Sequence, residues 1–358
     1  MKTINIVVFG IGNVGSTLVN QLIALKEIWE NEREIEVNIP VILNSTLAFY
    51  TKGGASPEWE TNFEKFGVPY RLPEVITYIK EQKLENLIAI DVTASAKIVE
   101  AYPYLIENGF HIIAANKVAN TKSQQFYKEL RELLKVNQRK FLYETNVGAG
   151  LPIIDTLQKL VNSGDKVTNV RGVFSGSLSY LFNTFSDSNA AFSEILADAK
   201  AKAYTEPDPR IDLSGVDVAR KLLIIARELK LEIEIDAINV ESLVPKTLNG
   251  NSTLDSFYKN ITLLDHAFLK KKENLVPDKA LRYVADLNVQ TQELNVNLLE
   301  VDRSSPLGAL KAADTLFEIH SSAYKDKPLI IQGAGAGTTV TARGIITDLL
   351  SLTAQLNN

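Results

Sequence analysis

The chain of 358 residues has no cysteine. That removes disulfides, a thiolate nucleophile and every zinc–thiolate site. Histidine is scarce too: His111, His266 and His320 are scattered, and none has metal-ligand spacing. A histidine acid–base mechanism is therefore disfavoured, and His111, inside the apolar run FHIIAAN, reads as a core residue. No run of eighteen apolar residues occurs, so no membrane span is expected. The net charge is only −5, which gives no general attraction to nucleic acid or to an anionic membrane. Repeats and low-complexity tracts are absent. The first strand starts almost at Met1, leaving no room for a signal or transit peptide, and the expectation is a cytoplasmic protein. Apolar residues make up 45% and charged residues 23%, ordinary globular values, but the length exceeds one core, so two domains are expected.

What the chain does have begins at its start. Thr3 to Phe9, TINIVVF, reads as a buried parallel strand and runs into Gly10-Ile11-Gly12-Asn13-Val14-Gly15. A helix with Val14, Leu18, Leu22, Leu25 and Trp29 on one stripe follows, the context a dinucleotide fingerprint requires. Gly10 allows the turn, Gly12 lets a pyrophosphate approach, Gly15 permits helix–strand packing, and the first N–H groups, those of Asn13 and Val14 among them, favour the anion. The alternative is a merely tight strand–helix turn. A charged connection, Lys26 to Glu36, should lead to a second strand over Val37 to Leu43. That strand ends in Asn44-Ser45 rather than an acid, so nothing repels a 2′-phosphate, and Ser45 and Lys52 can donate to one. NADP(H) is favoured over NAD(H). Further strands over Leu84 to Val92 and Phe110 to Ala115 end in Thr93-Ala94-Ser95 and Asn116-Lys117. Thr93 and Ser95 sit where a cofactor is touched, though capping residues would look the same. Lys117 is balanced between a surface charge and a partner for a substrate carbonyl.

Downstream, the turn Asn146 to Pro152 near Glu144 has carbonyls able to hold a hard monovalent cation; the other reading is a domain-crossing turn with no ion. The stretch Ala203 to Lys221 concentrates Glu206, Asp208, Asp212, Asp217 and Lys221 with two prolines. TEPDP should be a stiff extended loop, followed by a helix capped by Ser214 with Asp217 three residues on. Val216, Ala219, Leu222, Leu223 and Ala226 form its apolar stripe. Asp217 and Lys221 share a face at i,i+4, a pair that alone is usually a solvated surface pair. Ile233 to about Leu329 suits a second sheet domain. PLIIQ at Pro328 to Gln332 is strand-like, and the glycine turn around Gly335 leads to a terminal helix that returns to complete the nucleotide domain.

Together these residues resemble the homoserine dehydrogenase family. The carriers are VFGIGNVGSTL at Val8 to Leu18, ANKVANT at Ala115 to Thr121, LYETNVGAGLPII at Leu142 to Ile154, FSGSLSYLFN at Phe174 to Asn183, YTEPDPRIDLSGVDVARKLLI at Tyr204 to Ile224 and GAGAGTTVTARG at Gly333 to Gly344. The likeness is greatest to the dehydrogenase half of bifunctional aspartokinase–homoserine dehydrogenases, with neither kinase nor C-terminal regulatory domain expected. It implies a doubly wound α/β nucleotide domain over 1–143 plus 328–358 and an α+β substrate and dimerisation domain over 144–327. It also implies NAD(P)-dependent interconversion of L-homoserine and L-aspartate 4-semialdehyde by a homodimer. By carry-over, Glu206 binds the substrate ammonium group, with Asp212, Asp217 and Ser177 in the pocket. Lys221 and Lys117 are linked to proton transfer, and Gly335 joins the cofactor contacts. Glu144 with the carbonyls of Val147, Ala149 and Leu151 matches a Na+ or K+ site. Two departures stand out: Ile211 replaces the first of two aspartates, and Ala203 stands where glycine is common. A related oxidoreductase on another amino-acid semialdehyde, or a catalytically silent NADP-binding regulator, is the alternative.

Overall fold

The computed structural model describes residues 1–248 and 252–356. The mixed stretch expected from Ile233 to Leu329 includes 249–251, and the expected C-terminal segment ends at 357–358; these five positions lie outside the described residues. The chain forms two units, Met1–Gly150 with Gly337–Asn358, and Leu151–Ala336. Among the described residues no helix is long and apolar enough to cross a membrane.

The first unit opens with β1 (Lys2–Phe9), α1 (Asn13–Arg33), β2 (Ile35–Leu43), β3 (Leu47–Tyr50) and α2 (Trp59–Phe66). It continues with β4 (Val68–Pro69), α3 (Leu72–Glu81), β5 (Leu87–Asp91), α4 (Ala96–Glu100) and α5 (Tyr102–Glu107). Then come β6 (His111–Ala114), α6 (Val118–Thr121), α7 (Gln124–Val136) and β7 (Phe141–Leu142). Strand order is β4-β3-β2-β1-β5-β6-β7, parallel from β2 through β7. The central strands are mostly apolar because both faces are covered, and β1 shows six consecutive buried residues. The charged connection expected over Lys26 to Glu36 is the last two turns of α1 as far as Arg33, with Trp29 buried on it; Glu34 at φ +54 ends the helix, and β2 starts at Ile35.

The second unit holds α8 (Ile153–Asn162), β8 (Val167–Val173), α9 (Gly176–Asp187), α10 (Phe192–Ala201), α11 (Arg210–Leu213) and α12 (Val216–Glu228). After it come β9 (Asn239–Val240), α13 (Leu254–Lys259), α14 (Thr262–Glu273), β10 (Lys279–Asn288), β11 (Glu293–Asp302), β12 (Asp314–Ser321) and β13 (Leu329–Ala334). They make a mixed sheet in the order β13-β12-β8-β10-β11-β9. The strand-like stretch at 328–332 thus departs from its expected place with the nucleotide domain. It pairs antiparallel with β12, Ile331 opposite Phe317, which consumes the backbone groups on that edge. Only the helix after it, α15 (Thr338–Gln355), belongs to the first unit, where Ala342, Ile345, Ile346, Leu349 and Leu352 are buried in the same cluster as Ile4, Ile6, Leu18 and Leu22.

Candidate active site

At the carboxyl end of β1, Gly10 takes φ +104, and a Cβ there would lie 2.9 Å from the Thr93 methyl. A Cβ on Gly15 would lie 2.1 Å from the Gly10 carbonyl oxygen, so α1 and the turn touch backbone to backbone. Gly12, by contrast, faces nothing within 4 Å. It is the N-cap of α1 with no side-chain cap, and the first turn holds no acid. Exposed N–H groups, the positive end of a helix of 21 residues and open space above Gly12 fit the pyrophosphate of a dinucleotide. The turn also lies where strand order reverses, between β1's neighbours β2 and β5. At the end of β2 the Asn44 side chain accepts from the Thr46 and Leu47 N–H groups at 2.9 and 2.7 Å, which leaves Ser45 exposed on the turn. Lys52 is not with it. β3 runs antiparallel to β2, so the chain from Leu47 onward leads away, and Thr51 N–H already bonds the Pro40 carbonyl nearer the other edge.

The ends of β5 and β6 are joined by a residue that the sequence reading passed over. The Asp91 carboxylate, 1% exposed, accepts from the Thr93 N–H at 2.8 Å and hydroxyl at 2.7 Å, from Tyr102 at 2.8 Å and from Asn116 Nδ2 at 2.9 Å. Burial raises its pKa above the usual carboxylate range, opposed by these four donors. The available signal was a lone acid closing the apolar run LIAID. Ser95 starts α4 without capping it, so the capping alternative does not account for its hydroxyl. Lys117 is half-buried at the N-cap of α6.

In the second unit TEPDP is a loop as expected, but the helix after it starts differently. Arg210–Leu213 makes a helical turn, and α12 begins at Val216 with Gly215, at φ +74, as its cap. Ser214 does not act as the N-cap; its hydroxyl donates to the Ile211 carbonyl, and Val216, put on the buried stripe, is 43% exposed. Asp212 accepts from the Ser177 hydroxyl at 2.7 Å and from the Glu206 N–H at 2.8 Å, which pins the loop carrying Glu206 to α9. Burial raises the Asp212 pKa, and the nearby Asp217 charge adds to it. Ser175 caps α9 and lies 3.0 Å from Ser177. Farther along the loop Arg210 clasps Asp208 and donates to the Ser252 carbonyl at 2.8 Å.

Lys221 is 8% exposed. Its Nζ lies 2.9 Å from Asp217 Oδ2 and donates to the Phe174 carbonyl at 2.8 Å. The pair is therefore no solvated surface bridge, and Phe174, the residue after β8, is a partner that spacing could not reveal. Asp212 faces Ser177 and the loop rather than Lys221, because α11 turns it away before Gly215. A Cβ on Gly335 would sit 2.0 Å from the Thr315 hydroxyl, so close packing on β12 demands glycine there. Glu144 is buried in a 3-10 turn (Glu144–Asn146), and its N–H donates to Asp348 on α15 at 3.0 Å. Val147 is buried, Ala149 takes φ +53, and Leu151 opens the second unit with its carbonyl bonded to the Ile153 N–H. Among the described residues there is no cluster of three His, Asp or Glu side chains able to hold a metal ion.

Comparison with known proteins converges on one family. The family model for homoserine dehydrogenase matches residues 152–350, and that for the homoserine dehydrogenase NAD binding domain matches residues 10–144. The bifunctional aspartokinase/homoserine dehydrogenase of Buchnera aphidicola is 38% identical over 98% of this chain, which spans 43% of that protein's length. The homoserine dehydrogenase of Schizosaccharomyces pombe is 32% identical over 99% of this chain and 96% of its own. The crystal structure of a Candida auris protein of unknown function has a TM-score of 0.90 at 33% identity, covering all of both chains. A fingerprint built for a dinucleotide, a buried lysine–aspartate pair and these matches agree: the chain belongs to the homoserine dehydrogenase family.

Proposed function

We propose that this protein is a homoserine dehydrogenase that interconverts L-homoserine and L-aspartate 4-semialdehyde, preferring NADP(H), on the route to threonine and methionine. The observation that carries the reading is the Lys221 ammonium, buried between Asp217 and the Phe174 carbonyl. A bound nicotinamide donates the hydride in one direction and accepts it in the other. Reduction leaves negative charge on the substrate oxygen. Two of the three Lys221 N–H groups are committed to protein partners; the third neutralises that charge and passes its proton. In oxidation the same nitrogen takes up the hydroxyl proton. Glu206, exposed on its pinned loop, supplies a carboxylate for the substrate ammonium, with Ser177, Asp212 and Asp217 shaping the pocket.

The first unit supplies the cofactor's contacts: N–H groups of the turn from Gly10 to Gly15 for the pyrophosphate, Ser45 for the adenosine ribose, and Thr93, Ser95 and Lys117 from the strand ends. The exposed Ser45, with no acid beside it, supports NADP(H) over NAD(H). Glu144 with the carbonyls of Val147 and Ala149 is offered as a Na+ or K+ site, and a homodimer as the working assembly.

The test follows reduced-nicotinamide absorbance with purified protein, L-homoserine, and NADP+ or NAD+ in turn, in sodium and in potassium buffers. Turnover with the higher kcat/KM for NADP+ is expected. Dinucleotide binding without turnover would leave two other readings: a different semialdehyde, or a silent regulatory subunit. Against the regulator stands the presence of every charged residue assigned a role: Lys117, Glu206, Asp212, Asp217 and Lys221.

A further inference from the structure

We propose that Asp91 is a positioning residue for the nicotinamide dinucleotide, its carboxylate holding together the two strand-end loops, 93–95 and 116–118, that receive the cofactor. Asp91 is the last residue of β5 and is buried beside the fully apolar Ile88 and Ile90. An apolar side chain there costs less than a buried carboxylate, so packing alone does not call for the acid. What the acid provides is four acceptor positions on two oxygens, and all four are used.

Oδ1 takes both the N–H and the hydroxyl of Thr93. That fixes the Thr93 methyl against Gly10, where it forms a wall of the glycine turn. The Thr93 hydroxyl in turn receives the Ser95 N–H at 3.1 Å. Oδ2 takes Asn116 Nδ2, which also donates to the Ser95 carbonyl at 3.0 Å, while Asn116 Oδ1 receives the Val118 N–H at 3.0 Å. Lys117 is thereby held between two anchored neighbours. The remaining donor, Tyr102, is 1% exposed and ties the carboxylate to α5. One buried side chain thus sets Thr93, Ser95 and Lys117 relative to the fingerprint glycines without itself being open to solvent.

The inference rests on the first unit binding a nicotinamide dinucleotide and not on which alcohol is oxidised. Asp91→Asn turns an acceptor-only group into one that presents an N–H toward donors, and the Asn116 amide cannot reverse to meet it while keeping its bond to the Ser95 carbonyl. The experiment measures the Kd of NADPH and of NADH by nucleotide fluorescence, KM for both substrates, and the melting temperature, for the parent, Asp91→Asn and Tyr102→Phe. Charge-assisted hydrogen bonds of this kind correspond to roughly 10- to 100-fold in binding. The expected result is that rise in dinucleotide Kd for Asp91→Asn, a several-fold rise for Tyr102→Phe, and homoserine KM unchanged in both. Tyr102→Phe removes one donor while keeping shape and charge, so it decides the matter should Asp91→Asn fail to fold. Folded variants with lowered melting temperature but the parent's dinucleotide Kd would overturn the proposal, as would an equal loss of affinity for both substrates. A parent that binds dinucleotide yet leaves homoserine unchanged would remove the activity reading and leave the Kd comparison valid; a parent that binds neither dinucleotide would remove both.

Discussion

At the scale of single residues the Lys221 nitrogen is held by a side chain and by backbone. Lys221 gives up most of its water for one carboxylate and one carbonyl, so truncating it removes the ammonium group from both. Lys221→Ala is expected to lower kcat by about 100-fold or more, the scale of general acid–base catalysis, with dinucleotide Kd unchanged. Stopped or steady-state kinetics beside a binding titration check this; a kcat near the parent's would pass the proton role to Lys117 or water. His111, read from the sequence as a core residue, is 4% exposed, and its Nδ1 accepts the Lys140 N–H. Burial, then Arg139 and Lys140, lower its pKa from 6.5 to about 4. The folded protein thus resists a proton that the unfolded chain takes up below pH 6.5. The stability this gives is fully present above that pH and is lost as pH falls toward about 4, by up to about 3 kcal/mol. His111→Gln should flatten that part of the melting temperature profile.

At the scale of elements, the acidic stretch is a loop over TEPDP, as expected, that leads into an elbow of two helices rather than into one. Gly215 bridges α11 and α12 at φ +74, and a Cβ there would meet the Tyr283 hydroxyl at 2.0 Å. Tyr283 reaches it from β10 and bonds the Glu241 carbonyl, so the helix start is set by a contact that no local pattern contains. This is why Ser214 looked like the cap. Asp212 fixes the loop by its Ser177 and Glu206 bonds, and hydrogen bonds to a charged acceptor contribute about 1.5–3 kcal/mol each. Asp212→Ala frees the segment carrying Glu206. The expected outcome is a homoserine KM raised about 10-fold or more, with dinucleotide Kd unaltered, measured by kinetics and fluorescence titration.

At the scale of the whole molecule, the first unit is completed by α15, which follows β13 of the second unit. Ile345, Ile346, Leu349 and Leu352 are buried there, each contributing roughly 1.5–3 kcal/mol, together as much as the net stability of a domain. Ending the chain at Ala336 should therefore abolish dinucleotide binding and cooperative melting of the first unit, while the second unit keeps its sheet; calorimetry and fluorescence titration distinguish the two. The sequence by itself determined the fold class and the candidate fingerprint and lysine–aspartate pair, because apolar runs, glycine spacing and an i,i+4 pair are local properties written in adjacent letters. It determined the family as well, through blocks such as YTEPDPRIDLSGVDVARK. Tertiary structure alone decided that the chain at Lys52 leads away from the turn at Asn44-Ser45, since that depends on the antiparallel direction of β3. It alone placed the strand at 328–332 in the second sheet and joined Asp91 to Thr93, Tyr102 and Asn116. Strand direction, edge pairing and buried hydrogen bonds join residues distant in sequence, and their partners are fixed only when the chain is folded.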